Sequence, residues 1–124
     1  MVKNNFCVLV VSHGSREKSA NREFKKLVGK YRARHPRLKI GYGFLELAEP
    51  SIPRALEALT KSKPSQILVL PLFLFSARHV KKHIPEILKA FQRNHPRIKV
   101  KLAAPLGVDS KLLDLLDKRR SQIS

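Results

Sequence analysis

The sequence predicts a three-layer α/β fold, a four-stranded parallel sheet in the order 2-1-3-4 with helices on both faces. Three observations carry that expectation. Short apolar runs alternate with amphipathic stretches of helical period in the order β-α-β-α-β-α-β-α, the pattern of parallel strands joined by right-handed crossovers. The most hydrophobic run, residues 67–75, lacks polar alternation and suits a central strand covered on both faces. The length of 124 residues is that of one domain, able to bury roughly two thirds of its unfolded surface.

The elements follow in order. Residues 6–11 read as a first buried strand, ended by Ser12-His13-Gly14-Ser15. Over residues 19–34 the apolar positions Ala20, Phe24, Leu27, Val28 and Tyr31 recur at helical spacing until His35-Pro36 stops the helix. Residues 38–45 alternate as a strand near a sheet edge does and end on Glu46. Pro50 and Pro53 are tolerated only in the first turn of a helix, where backbone N–H groups have no intrahelical partner. A helix therefore starts there, with Ile52, Ala55, Leu56 and Leu59 as its buried stripe. The central strand comes next. Beyond it Ile84, Ile87, Leu88 and Phe91 share one face of a helix that Pro85 starts at about His83 or Ile84. Residues 98–102 make the fourth strand, and Asp109 caps a last helix that turns Leu112, Leu115 and Leu116 inward. His35-Pro36-Arg37-Leu38-Lys39-Ile40 recurs as His95-Pro96-Arg97-Ile98-Lys99-Val100, each where a helix hands over to a strand. This is either a half-repeat or the same helix stop found twice.

The composition narrows the function classes. The single Cys7 lies in an apolar run and reads as a core thiol rather than a nucleophile, which fits a reducing, cytoplasmic setting. No apolar stretch approaches the roughly 20 residues of a membrane span, and the first residues lead into too short a run for a signal peptide. The net charge of +17 predicts attraction to polyanions. Its carriers are spread along the chain, which argues against a nucleic-acid partner, since such binders gather charge on one face and interleave aromatics.

Strand order converts this plan into a site. In a 2-1-3-4 sheet the first and third strands are neighbours where the winding reverses, and their carboxyl ends open one crevice. His13 leaves the first strand, His79 follows the third, and Glu46 ends the second beside His13. Two imidazoles and a carboxylate form an open site for a borderline divalent metal, with room left for substrate. Each residue also has a plainer reading. His13 can close a turn or hold an anion at a helix start, His79 can be a loop residue, and Glu46 can cap a turn or pair with an Arg. His35 and His95 read as helix-end residues that favour the negative end of the dipole.

The motifs Ser12-His13-Gly14-Ser15-Arg16, then residues 44–53 (Phe44-Leu45-Glu46-Leu47-Ala48-Glu49-Pro50-Ser51-Ile52-Pro53), then Pro71-Leu72-Phe73-Leu74-Phe75 through His79-Val80-Lys81-Lys82-His83-Ile84-Pro85, then Pro105-Leu106-Gly107 span nearly the whole chain. In these the chain resembles the small cobalt chelatases of the sirohydrochlorin type, class II chelatases of the anaerobic route to cobalamin. The resemblance implies one chelatase domain over residues 1–124 and a homodimer. It implies metal insertion into a tetrapyrrole, most simply Co2+ into sirohydrochlorin, with no permanently bound cofactor. His13 and His79 match metal ligands of that family, and Glu46 matches an acidic residue that handles metal or protons. Ser15, Arg16, Arg78, Lys81 and Lys82 stand where they can hold the substrate's carboxylates.

Three positions depart from the family pattern. Ser12 replaces a Gly before the first His, Arg78 replaces a Gly before the second, and His83 stands where an Asp is common. His83 is thus a further candidate ligand. Nickel or iron insertion by the same site is the nearest rival reading, because divalent affinities follow one order at most N/O sites. A basic nucleic-acid-binding module is the rival of another class. Phosphoryl transfer through His13 is a third, against which stands the lack of an Arg before the His.

Overall fold

The computed structural model describes residues 5–124, the side chain of His79 excepted. The expectation about the first four residues, and about any leader they begin, lies outside the described residues. The chain runs β1 (Phe6–Ser12), α1 (Lys18–Arg34), β2 (Lys39–Phe44), α2 (Ile52–Leu59), a 3-10 turn (Thr60–Ser62), β3 (Gln66–Pro71), a π-helical turn (His79–His83), α3 (Ile84–Asn94), β4 (Lys99–Leu102) and α4 (Ser110–Ile123). All strand pairs are parallel and the order is β2-β1-β3-β4, as expected.

Alternation along the strands builds two cores. Cys7, Leu9 and Val11 of β1, with Ile67 and Val69 of β3, point to one face. There they meet Ile52, Ala55, Leu56 and Leu59 of α2 and Ile84, Leu88 and Phe91 of α3. Val8 and Val10 point to the other face, with Ile40 and Phe44 of β2, and meet Phe24 and Val28 of α1. The layers are therefore α1, the sheet, and α2 with α3. Cys7 is buried and free, its sulfur 3.2 Å from the Ser62 hydroxyl, as a core thiol.

Helix starts and stops follow local chemistry. Ser51 caps α2 by accepting from the Arg54 N–H at 3.3 Å, and Pro53 sits in the first turn while Pro50 stays outside, after a cis peptide bond from Glu49. Asp109 caps α4 by accepting from the Lys111 N–H at 2.8 Å. The two His-Pro stops have the same conformation. His35 (φ −129°, ψ 69°) sits on Tyr31 at 4.8 Å between ring centroids, and His95 (φ −135°, ψ 67°) on Phe91 at 4.4 Å.

Five expectations need correction. β3 is covered fully on only one face: Leu68 and Leu70 are half-buried beside α1, because α1 lies over β1 and β2. β3 also ends at Pro71, and the apolar run continues as a loop in which Leu74 and Phe75 are exposed. α4 buries none of its residues, and Leu115 and Leu116 face solvent instead of the core. Pro50 lies before the cap residue Ser51 rather than in the first turn of α2, and His83, whose backbone is already helical, makes no side-chain cap at the start of α3. Val80, 5% exposed, anchors that turn in the core.

Candidate active site

The carboxyl ends of β2, β1 and β3 open side by side, and each sends a loop over the same end of the sheet. The β1/β2 ladder runs past the strands. The Leu45 N–H donates to the Ser12 carbonyl at 2.8 Å and the Glu46 N–H to the His13 carbonyl at 3.0 Å. Glu46 is thereby zipped to His13. The approach is so close that only glycine fits next: at Gly14 (φ 93°) an added Cβ would lie 1.8 Å from the Glu46 carbonyl oxygen. Leu47, just beyond, takes φ 65°, a left-handed conformation that costs a side-chain-bearing residue about 1–2 kcal/mol.

The loop after His13 is clamped from α1. Asn21 accepts from the Ser15 N–H at 3.0 Å and donates to the Ser15 carbonyl at 2.8 Å, while the Ser15 hydroxyl accepts from the Glu17 N–H at 3.0 Å. Asn21 went unnoticed in the sequence, and its one signal there is an amide side chain in the first turn of a helix that follows a glycine loop. Ser15 is thus committed to holding the loop. Arg16 is exposed at its tip.

His13 is oriented by its own neighbour. Its Nδ1 lies 3.0 Å from the Gly14 carbonyl oxygen, which can only accept, so Nδ1 carries the proton of that bond. In the neutral ring the lone pair is then on Nε2. Nε2 lies 3.8 Å from Glu46 Oε2, with the two side chains 38% and 52% exposed. Two ligand bonds of about 2.1 Å at a tetrahedral angle span roughly 3.4 Å, so a divalent ion fits between these atoms with a shift of a few tenths of an ångström. A backbone carbonyl holding the remote ring nitrogen is the usual way a metal-binding imidazole is aimed.

β3 delivers the other half of the crevice. The Leu72 N–H donates to the Val11 carbonyl at 2.8 Å, carrying the β1/β3 ladder to the strand end. His79 opens the π-helical turn that follows, and its side chain lies outside the described residues. Among the described residues no group of three His, Cys, Asp or Glu side chains converges on a metal position. Arg78, Lys81 and Lys82 are exposed around this turn and His83 is half-buried. An apolar rim closes this end: Leu47, Leu74, Phe75 and Leu106 are exposed here, and of these Leu74 and Phe75 read in the sequence as strand. The loops carrying them are tied together, with the Leu106 N–H on the Phe73 carbonyl at 2.9 Å and the Gly107 N–H on the Leu74 carbonyl at 2.6 Å.

The model of the CbiX family matches residues 7–123. The chain belongs to the CbiX family. Over 119 residues this CbiX chain is 30% identical to the sirohydrochlorin cobaltochelatase of Sulfurisphaera tokodaii, covering 94% of itself and 92% of that protein. It is 32% identical over 116 residues to the sirohydrochlorin ferrochelatase of Bacillus subtilis, covering 94% of itself and 44% of that protein. Among solved structures, the sirohydrochlorin chelatase SirB from Bacillus subtilis subspecies spizizenii in complex with cobalt superposes with a TM-score of 0.91 at 32% identity, over 96% of this chain and 51% of that one. The CbiX chain thus spans about half the length of the first curated relatives it matches, and nearly all of the archaeal one. Among the described residues no helix is long and apolar enough to cross a membrane.

Proposed function

We propose that the protein is a metal chelatase that inserts a divalent ion, cobalt, into sirohydrochlorin in cobalamin synthesis. The observation that carries this reading is the His13–Glu46 pair, an imidazole with its Nε2 lone pair aimed across 3.8 Å at a carboxylate on an open crevice. The relatives named for cobalt and iron insertion into the same tetrapyrrole support it. Iron or nickel insertion at this site is the nearest alternative, because the donor set does not discriminate among these ions.

Insertion needs an ion held loosely enough to leave and a base for two pyrrole N–H protons. His13 and His79 hold the metal substrate through imidazole nitrogens, leaving positions for the incoming pyrrole nitrogens. Glu46 takes the protons, and its half-exposed carboxylate can pass them to water. The macrocycle lays an apolar face on Leu47, Leu74, Phe75 and Leu106, while its carboxylates meet Arg16, Arg78, Lys81 and Lys82. His83 is a reserve ligand on the same turn. No permanently bound cofactor is required. Residues 1–124 act as one chelatase domain in the cytoplasm.

A homodimer completes this reading. α4 leaves Leu113, Leu115, Leu116 and Ile123 exposed, and a cavity of about 350 Å3 between α1 and β3 is lined by Leu27, Leu70, Leu72 and Leu106. A second copy is the occupant that supplies as much chain again as the longer relatives carry beyond the matched half.

The test is insertion by purified protein, followed by absorbance of the metallated product, with Co2+, Ni2+ and Fe2+ in turn. Cobalt is expected to insert fastest. His13→Ala is expected to lower the rate at least a hundredfold with an unchanged circular dichroism spectrum, and Glu46→Gln to lower kcat more than it weakens ion binding. No insertion of any metal by the wild-type chain would overturn the reading.

A further inference from the structure

The end of the sheet opposite the crevice carries a second feature. In a parallel sheet every helix-to-strand connection lies at the same end, and here three of them are basic. The α1–β2 connection brings Arg34, Arg37 and Lys39, the α2–β3 connection Lys61 and Lys63, and the α3–β4 connection Arg93, Arg97 and Lys99. All eight side chains are exposed. Strand register brings the edge strands close in level: Lys39 pairs with Cys7, Cys7 with Ile67 and Ile67 with Val100, so Lys99 stands one residue nearer the amino end than Lys39, and the two side chains leave opposite faces of the sheet at this end. Lys61 and Lys63 fall between, because the Asn5 side-chain amide at the start of β1 donates to the Ser62 and Lys63 carbonyls at 3.4 and 3.2 Å. Cations dispersed along the sequence are thus gathered in space, across roughly 14 Å of sheet edge at about 4.8 Å per strand.

None of the three connections carries a carboxylate. On the helices that lead into them, Glu57 of α2 is the carboxylate nearest a helix end, and it is taken up by His95 at 2.8 Å. Beside β4 the cations line a concave surface of about 580 Å3 formed by Lys89, Gln92, Arg93, Pro96, Arg97 and Lys99. Gln92 fixes its wall, donating to the His95 carbonyl at 2.9 Å and to the Ile98 carbonyl, and accepting from the Val100 N–H at 3.1 Å. The cations therefore project from a rigid frame.

We infer that this end docks the phosphodiester backbone of a nucleic-acid duplex, independently of sequence. Among the described residues no large exposed apolar side chain is on these connections, so they offer no anchor for a bilayer and no apolar centre for a protein interface. The ring side chains of the two His-Pro stops, His35 and His95, are engaged with Tyr31 and Phe91 and offer no platform for unstacked bases. Fixed cations without apolar or stacking partners are what regularly spaced phosphates select. The end lies away from the crevice, so duplex and tetrapyrrole occupy different faces.

The test is fluorescence anisotropy with labelled 20-base-pair DNA and RNA duplexes between 50 and 300 mM salt, using the full chain. Binding to one or both duplexes is expected, with the logarithm of the association constant falling linearly against the logarithm of salt. Arg93→Gln/Arg97→Gln/Lys99→Gln removes three phosphate contacts, so the slope is expected to become shallower by roughly 2.7 and affinity at 0.1 M salt to fall at least tenfold. Removing the same charge from α1 through Lys18→Gln/Lys25→Gln/Lys26→Gln is expected to leave binding within about twofold. Equal losses in the two triple variants would mean that net charge alone is read, and would overturn the assignment. So would an absence of duplex binding, or equal affinity for anionic lipid vesicles or polyglutamate of matched charge.

Discussion

At Gly14 a single missing Cβ decides whether the candidate site exists. An alanine there would drive a methyl group to 1.8 Å from the Glu46 carbonyl, and the residue would also have to adopt φ 93°. Gly14→Ala is therefore expected to separate the two loops and destabilise the fold by about 2–4 kcal/mol, with loss of metal insertion, as a denaturant midpoint and a rate assay would show. A wild-type midpoint and rate would mean that the His13–Glu46 approach is not needed. Phe75 tests the opposite case. At 64% exposed it contributes little to the core, so Phe75→Ser is expected to leave the melting temperature within a few degrees while raising KM for the tetrapyrrole several-fold and sparing kcat. A change in kcat alone would remove Phe75 from substrate binding. Residue roles of this kind were only half legible in the sequence. His13 and Glu46 could be placed because each ends a recognisable strand. Asn21, which clamps the loop, could not, because its function lies in two hydrogen bonds to one backbone position that spacing does not report.

Elements were read with uneven success, for physical reasons. α2 and α3 matched their expected stripes because Pro53 and Pro85 mark their starts and the His-Pro stop marks the end of α3. β3 was read too long. Hydrophobicity continues through Phe75, but the described ladder to β1 ends with the bond from Leu72 to Val11, and the chain turns into the crevice rim. α4 shows a related limit: an apolar stripe says that a face wants cover, not which chain covers it. Here Leu113 and Leu116 are 60% and 67% exposed. If a second copy covers them, Leu113→Ser/Leu116→Ser is expected to shift the sedimentation coefficient from dimer to monomer without lowering helix content. A wild-type chain that sediments as a monomer at tens of micromolar would remove the dimer from the account.

For the molecule as a whole, the parallel sheet sorts chemistry to its two ends. The carboxyl ends of the strands hold His13, Glu46, the His79 turn and an apolar rim. The amino ends hold eight cations from three connections. The first arrangement was legible because strand order could be inferred from the βα alternation, and strand order says which loops are neighbours. The second was not, because charge dispersed along the chain does not show which cations the helix-to-strand connections gather at one end. At the first end an ion is expected to bridge His13 and its neighbours in the crevice. Anomalous diffraction from crystals soaked in Co2+ would locate it. A peak is expected about 2.0–2.2 Å from His13 Nε2, shared with His79 and within reach of Glu46, and absent in His13→Ala. A peak that contacts neither His13 nor His79, or none at a cobalt concentration that supports insertion, would contradict that expectation.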